Sequence, residues 1–227
     1  MVFLVQELPL DLTAYNLHDD STNVVMSLID PNVTEVGSPI WALARLFPPQ
    51  GSWSSDEYLQ LDAGRLVEFD SGNVEILELP SPEHQRLVLL IYRWLFAWSQ
   101  QRSEPGEVFV APLPIRLWSE KYREPDVVWL QSSRPRVGGY PDGADLVVEV
   151  TSPGVDARKR DLVIKVAEYA RAAIEEYWII DQEQRQVQVG RLVQGRYEFE
   201  VFSESQIAIS RLDPSRQISV GELFPEA

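Results

Sequence analysis

The stretch DLVVEVTSPGVDARKRDLVIK, Asp145 to Lys165, constrains the fold more than any other part of the chain. It opens as an apolar run of strand length, stops at Ser152-Pro153-Gly154, and restarts as a basic segment with helical spacing. With a period of two, Leu146, Val148 and Val150 share one face, while Asp145, Val147, Glu149 and Thr151 share the other. Apolar residues on both faces mean a strand covered on both sides, the interior of an α/β sheet flanked by helices. Glu149 then lies where a carboxylate is costly unless it is paired, hydrogen-bonded or bound to a metal. Asp145 stands at the start of the strand and needs no such partner.

The segments around this strand fit the same architecture. GRLVEFDSGNVEILEL reads as two strands turning at Asp70-Ser71-Gly72-Asn73, and Ser54 can cap a short helix before them. SPEHQRLVLLIYRWLFAWSQQ opens with Ser81 as N-cap and Pro82 at the first helical position. Apolar residues at 87, 88, 91, 94, 95 and 98 then give that helix a wide buried face. EVFVAPLPIRLW, EPDVVWL and ADLVVEVT read as strands, followed by a helix over roughly 157–173 and the strand EYWIID. A second hairpin is expected to turn at Gln194-Gly195. The order predicts a mixed α/β domain over 51–227. Residues 1–50, rich in turn formers and closed by FPPQGS, read as an N-terminal extension, with a short helix possible at PIWALARLF.

Composition removes several classes of chemistry. The chain has no cysteine, which excludes disulfides and thiolate metal sites and suits a reducing cytoplasm, the expected location. Only His18 and His84 are present, too few for a multi-histidine zinc site. No phosphate-cradling Gly-Lys-Ser/Thr loop, dinucleotide glycine motif or Gly-x-Ser-x-Gly elbow occurs. The start MVFLVQELPLDL has no basic leader and loses its apolar run at Gln6, so it does not read as a signal peptide. Leu87 to Trp98, the longest apolar segment, is too short to span a bilayer and contains Arg93, so no membrane association is expected. The net charge of −15 counts against a long electrostatic footprint on nucleic acid, although residues 1–80 carry −11 of it.

Three side chains stand out chemically. On the helix, Leu162, Val166, Tyr169 and Ala173 form an apolar stripe, and Lys165 flanks it. Lys165 either reaches back to Glu149 or snorkels from the edge of the core. Asp126 follows Pro125 at a strand start, on the face of Val128 and Leu130, as a second candidate carboxylate or an ordinary turn residue. Two carboxylates and a lysine are what a hard divalent cation and a phosphodiester require. Mg²⁺ takes one or two carboxylates and keeps several waters, and a nearby lysine steadies developing negative charge.

The ordered run EPDVVWL, DLVVEVTSP, RDLVIKVAEYARAAIEEYWIID resembles the Uma-two family of restriction-endonuclease-like proteins, within the PD-(D/E)XK nuclease superfamily. VEFDSGNVEILELPSPEHQRLV and the closing ISVGELF extend the resemblance over about residues 53–225. It implies a restriction-endonuclease-like mixed sheet flanked by helices with peripheral β-hairpins. It also implies a Mg²⁺- or Mn²⁺-dependent endonuclease acting on DNA, working as a homodimer. By position, Asp126 becomes the first acidic ligand, Glu149 the second, and the Val150 carbonyl a further metal contact. Thr151 stands where a lysine is expected, and that lysine is displaced onto the following helix as Lys165. Glu68 and His84 match supporting positions. By itself, a lone histidine in the first turn of a buried helix is usually structural, and Glu68 reads equally well as a solvent-facing strand residue. Two further readings stay open: a nuclease fold kept for interaction or regulation without catalysis, and a nuclease for RNA or single strands.

Overall fold

Nineteen residues of uninterrupted helix, Pro82–Gln100, lie on one face of a six-stranded sheet, and the sequence explains both its start and its seat. The Ser81 hydroxyl accepts from the His84 N–H, and Pro82 occupies the first turn, where its missing N–H costs nothing. Leu87, Ile91 and Leu95 are fully buried against Val127, Trp129, Val148 and Trp178 of the sheet. Each such side chain contributes roughly 1.5–3 kcal/mol.

The computed structural model describes residues 47–61 and 66–224. The proposed extension and its helix at PIWALARLF lie outside the described residues, apart from its last few positions. In chain order the elements are α1 (Ser55–Leu59), β1 (Val67–Asp70), β2 (Asn73–Ile76), α2 (Pro82–Gln100) and β3 (Glu107–Val110). Next come β4 (Ile115–Trp118), β5 (Lys121–Arg123), β6 (Val127–Leu130), the short pair β7 (Arg136–Val137) and β8 (Tyr140–Pro141), and β9 (Leu146–Val150). A helix in three parts follows: α3 (Val155–Lys159), a π-helical turn over Arg160–Ile164, and α4 (Lys165–Arg171). β10 (Glu176–Asp181), β11 (Gln186–Val193), β12 (Arg196–Ser203), β13 (Ile207–Ile209), β14 (Gln217–Ser219) and α5 (Val220–Leu223) complete the chain.

The main sheet has the order β12-β11-β10-β9-β6-β3. β9 and β10 are parallel, joined by the helical crossover that a parallel pair requires, and the other neighbours are antiparallel. Side chains of β9 alternate as expected, Leu146, Val148 and Val150 facing α2 and Val147 facing the other way. That second face is not covered by helix alone. Ile115 and Leu117 of β4 share its core with Tyr169 of α4, because a second sheet, β2-β1-β5-β4, packs there. EVFVAPLPIRLW is therefore split between sheets, β3 joining the large one and β4 the small one. The first hairpin keeps β2 largely exposed but brings Glu68 of β1 into the interior, so Glu68 is not a solvent-facing residue.

Both anticipated turns are present. Ser71 and Gly72 have φ of 48° and 85°, and Gln194 and Gly195 have 48° and 78°, the paired positive values of a type I′ hairpin. The helix expected over 157–173 ends at Arg171; Ala173 lies beyond it with φ of 56° and is exposed, so it is not part of the buried stripe.

Candidate active site

Asp126 immediately precedes β6, and the antiparallel register Val127↔Val148, continued one step, sets it opposite Glu149. Neighbours so placed have Cβ atoms about 5 Å apart. Asp126 Oδ2 accepts from the Val150 N–H at 2.8 Å and lies 3.2 Å from Nε2 of His84. The same Nε2 is 3.1 Å from the Val150 carbonyl. His84, fixed by the capped start of α2, thus ties both strand ends together. Burial disfavours its charged form, but Asp126 outweighs burial and raises its pKa.

Glu149 is buried from the other side. Its Oε1 accepts from Lys165 Nζ at 2.8 Å and from the Tyr169 hydroxyl at 2.6 Å. Lys165 Nζ also lies 3.5 Å from Glu68 Oε1 and 3.6 Å from Asp161 Oδ1. The π turn explains this convergence: the Lys165 N–H bonds to the Arg160 carbonyl, five residues back, and the wider turn lets Asp161, Lys165 and Tyr169 all face inward. Lys165 therefore does not flank the buried face; it is the middle of it. The snorkelling reading fails because its ammonium ends among buried carboxylates.

Behind Lys165 runs a buried chain of alternating charge. Glu68 pairs with Arg123 of β5, and Arg123 grips Glu168 of α4 through two hydrogen bonds of 2.7 and 2.9 Å. Glu168 also lies 2.7 Å from Lys121, which bonds Asp70 at 2.8 Å. Each charge has a partner, as burial requires. Burial by itself raises the Glu68 carboxyl, but Lys165 and Arg123 outweigh it and hold the group below its usual range. Burial also opposes the charge on Lys165, yet Glu149, Glu68 and Asp161 hold its pKa well above the ordinary lysine value.

Lys165 keeps its proton, and the surplus negative charge falls on its acceptors. Burial, only partly offset by Lys165, pushes Glu149 up to about 8 and raises Asp161 as well. Glu124 is driven to about 7, chiefly by burial, although it accepts from the Val67 N–H. Asp126, Glu149, Val150, Asp161, Lys165 and Glu124 line one small cavity of about 40 Å³, room for an ion or one to two waters.

This donor set suits a hard divalent cation: two carboxylates on adjacent strands, a backbone carbonyl, and more buried carboxylates than cations. Among the described residues no group of three His, Asp or Glu side chains forms a ready metal cage. Mg²⁺ does not need one, since it keeps several waters.

A family comparison decides where such a chain belongs. The Uma2 (Uma-two) family model, described as "Putative restriction endonuclease", matches residues 55–225. The chain belongs to the Uma2 family. Every residue of the candidate site lies inside the matched span. Among solved structures, a "putative nuclease belonging to DUF820" from Anabaena variabilis ATCC 29413 superposes with a TM-score of 0.61 at 20% identity. The match covers 76% of this chain and 97% of that one, which shows a shared fold. No curated protein matches the sequence. Among the described residues no helix is long and apolar enough to cross a membrane.

Sequence reasoning brought together Asp126, Glu149, Val150, Lys165, Glu68 and His84, and the structure places them around one point. It missed Asp161, Tyr169 as a donor to Glu149, Glu124, and the Arg123–Glu168 pair. A signal existed for the first two: Asp161, Lys165 and Tyr169 recur at intervals of four, the spacing of one helix face. Arg123 and Glu168 are distant in sequence and carried none.

Proposed function

We propose that this Uma2 protein is a Mg²⁺- or Mn²⁺-dependent endonuclease that hydrolyses phosphodiester bonds in DNA. The observation that carries the reading is the meeting of Lys165 Nζ with Glu149 at 2.8 Å, beside Asp126 on the neighbouring strand. Asp126, Glu149 and the Val150 carbonyl would hold the ion. When bound, it lowers the pKa of a water and offsets charge on the phosphoryl oxygens. Lys165 holds a full positive charge where the attacking water and the phosphate would lie, orienting the one or steadying the other. Tyr169 fixes the Glu149 rotamer, and His84 fixes the Asp126 carboxylate against the Val150 backbone. Glu68 and Asp161 keep Lys165 from swinging away. Residues 51–227 carry this activity and 1–50 form an extension. The protein is a cytoplasmic homodimer carrying two such sites.

The test is cleavage of plasmid and oligonucleotide DNA with Mg²⁺ or Mn²⁺, beside Glu149→Ala and Lys165→Ala. Cutting by the wild type alone supports the reading; equal rates in all three proteins overturn it. The net charge of −15 and Thr151 at the usual lysine position favour a second reading, a nuclease fold kept for interaction without catalysis. An inactive wild type that nonetheless binds nucleic acid or a protein partner would select it.

A further inference from the structure

Next to the ionisable cavity, and sharing Glu124 and Asp126 with it, lies a groove of about 480 Å³. Its walls are largely apolar: Leu79 and Pro80 ahead of α2, Val88 and Leu89 on α2, Val110 and Pro112 at the end of β3. Among the described residues, no lysine or arginine lines it. Leu79 and Leu89 are 73% and 49% exposed, so its lip is open.

The distribution of charge restricts what can enter. A protein that grips duplex DNA takes most of its affinity from lysines and arginines on the phosphates. Here the cations around the site are engaged already. Lys165 faces three carboxylates, Arg123 two, Lys121 two, and Arg160 lies 3.9 Å from Glu75 and 3.6 Å from Asp161. With a net charge of −15, binding energy has to come from something other than phosphate contacts.

A nucleobase supplies it: a flat, largely apolar ring whose polar edge needs only a few hydrogen-bonding groups. The groove falls within the size range of small-molecule pockets and has few polar groups, Glu124, Asp126 and Gln85 among them. Asp126 is shared between the groove and the proposed ion, so a base in the groove adjoins a phosphate at the metal. Inside a duplex that base is paired and stacked, and it reaches such a pocket only when flipped or already single-stranded. We infer that the substrate is an unpaired strand, the groove receiving the nucleobase next to the scissile phosphate. This inference rests on the nuclease reading above.

The experiment compares one fluorescein-labelled mixed-sequence DNA as a single strand, as a blunt duplex, and as a duplex with a central unpaired bubble, with a single RNA strand of the same sequence alongside. Binding is read by anisotropy in Ca²⁺ and cleavage in Mg²⁺ or Mn²⁺, for wild type and for Leu79→Ala/Leu89→Ala. Both leucines are exposed, so their truncation leaves the fold intact. The expected result is single-strand and bubble affinity about tenfold above duplex, a preference the double variant erases by removing the apolar lip. Equal affinity and equal cutting of duplex overturn the inference, as does a preference the variant leaves untouched, or no binding of the unpaired strand. Efficient duplex cutting would sink this inference and spare the nuclease reading. Selective binding of unpaired strands without any cutting would sink the nuclease reading and with it the scissile phosphate, leaving only the groove's preference for an unpaired base. Equal selectivity for the RNA strand extends the same groove chemistry to both sugars.

Discussion

The two faces of the six-stranded sheet carry helices that solve opposite problems. α2 is regular and capped, and it buries what hydrophobicity dictates: Leu87, Ile91 and Leu95 inside, charged residues outside. The helix on the other face inverts that logic. Around its π turn Val163 and Ile164 are 58% and 41% exposed, while the charged Lys165 is only 3% exposed. Since α2 also exposes Leu89 and Phe96, the difference lies in the ammonium buried among carboxylates. The first face stabilises the fold; the second spends stability on a charged arrangement with no use in folding alone. Buried charge of this kind concentrates at functional sites.

The sharpest way to break this comparison is to substitute on the polar face. Glu149→Gln keeps size and shape and leaves an acceptor for Tyr169 while removing the charge. Cleavage is expected to fall about a thousandfold or more, equivalent to roughly 4 kcal/mol of barrier. Its denaturation midpoint is expected to stay level or rise, since Gln replaces a carboxyl that burial has pushed up to about 8. A matched loss of stability and activity would mean that Glu149 is structural. On the apolar face the pattern reverses: Ile91→Ala is expected to cost about 3 kcal/mol by urea denaturation. Its turnover, measured where the variant is still folded, stays near wild type.

The same contrast explains what the sequence made legible. Where burial follows hydrophobicity, periodicity was enough: the α2 face, the alternation in β9 and both type I′ turns read correctly. β5 escaped notice because Lys121-Tyr122-Arg123 looks like a surface segment, and only the distant acids Asp70, Glu68 and Glu168 make its burial possible. The π turn escaped for a related reason. A regular 3.6-residue wheel centres the buried stripe on Leu162 and Val166, and only the four-residue spacing of Asp161, Lys165 and Tyr169 hints at the face that the π turn brings inward. Glu149 was legible because its anomaly is local, one charge in an otherwise apolar strand. The surroundings were less so: Asp161 and Tyr169 show only as a spacing of four from Lys165, while Glu68 and Arg123 arrive from β1 and β5, distant in sequence.

Glu124 offers a smaller probe of the polar side. Its carboxyl, pushed to about 7 chiefly by burial, holds its proton in the folded protein well above the usual glutamate range. The folded state then binds more protons than the unfolded one between roughly pH 4.5 and 7. This contribution to stability is complete below about pH 4.5 and is lost as pH rises through about 7. Glu149 and Asp161 act in the same direction, so the informative quantity is the difference between wild type and Glu124→Gln. With EDTA present to remove divalent ions, urea midpoints should decline more steeply with pH in the wild type than in the variant. Parallel declines would show that Glu124 is ionised in the fold.

The smallest expected effect lies where the two faces meet. Ser81 caps α2, and the N–H it accepts is that of His84, whose imidazole reaches Asp126 and the Val150 carbonyl. Ser81→Ala removes one cap, a cost of about 1 kcal/mol to folding. If the cap only starts the helix, cleavage by the folded variant stays as it was, because Leu87 and Ile91 still seat α2 on the sheet. If the cap also holds the imidazole in register, His84 loosens, Asp126 loses a donor, and the apparent affinity for Mg²⁺ falls while turnover at saturating Mg²⁺ recovers. A Mg²⁺ titration of cleavage by wild type and Ser81→Ala separates the two. The geometry favours the second outcome, since Nε2 sits within 3.2 Å of both Asp126 and the Val150 carbonyl and has little room to shift without leaving one of them.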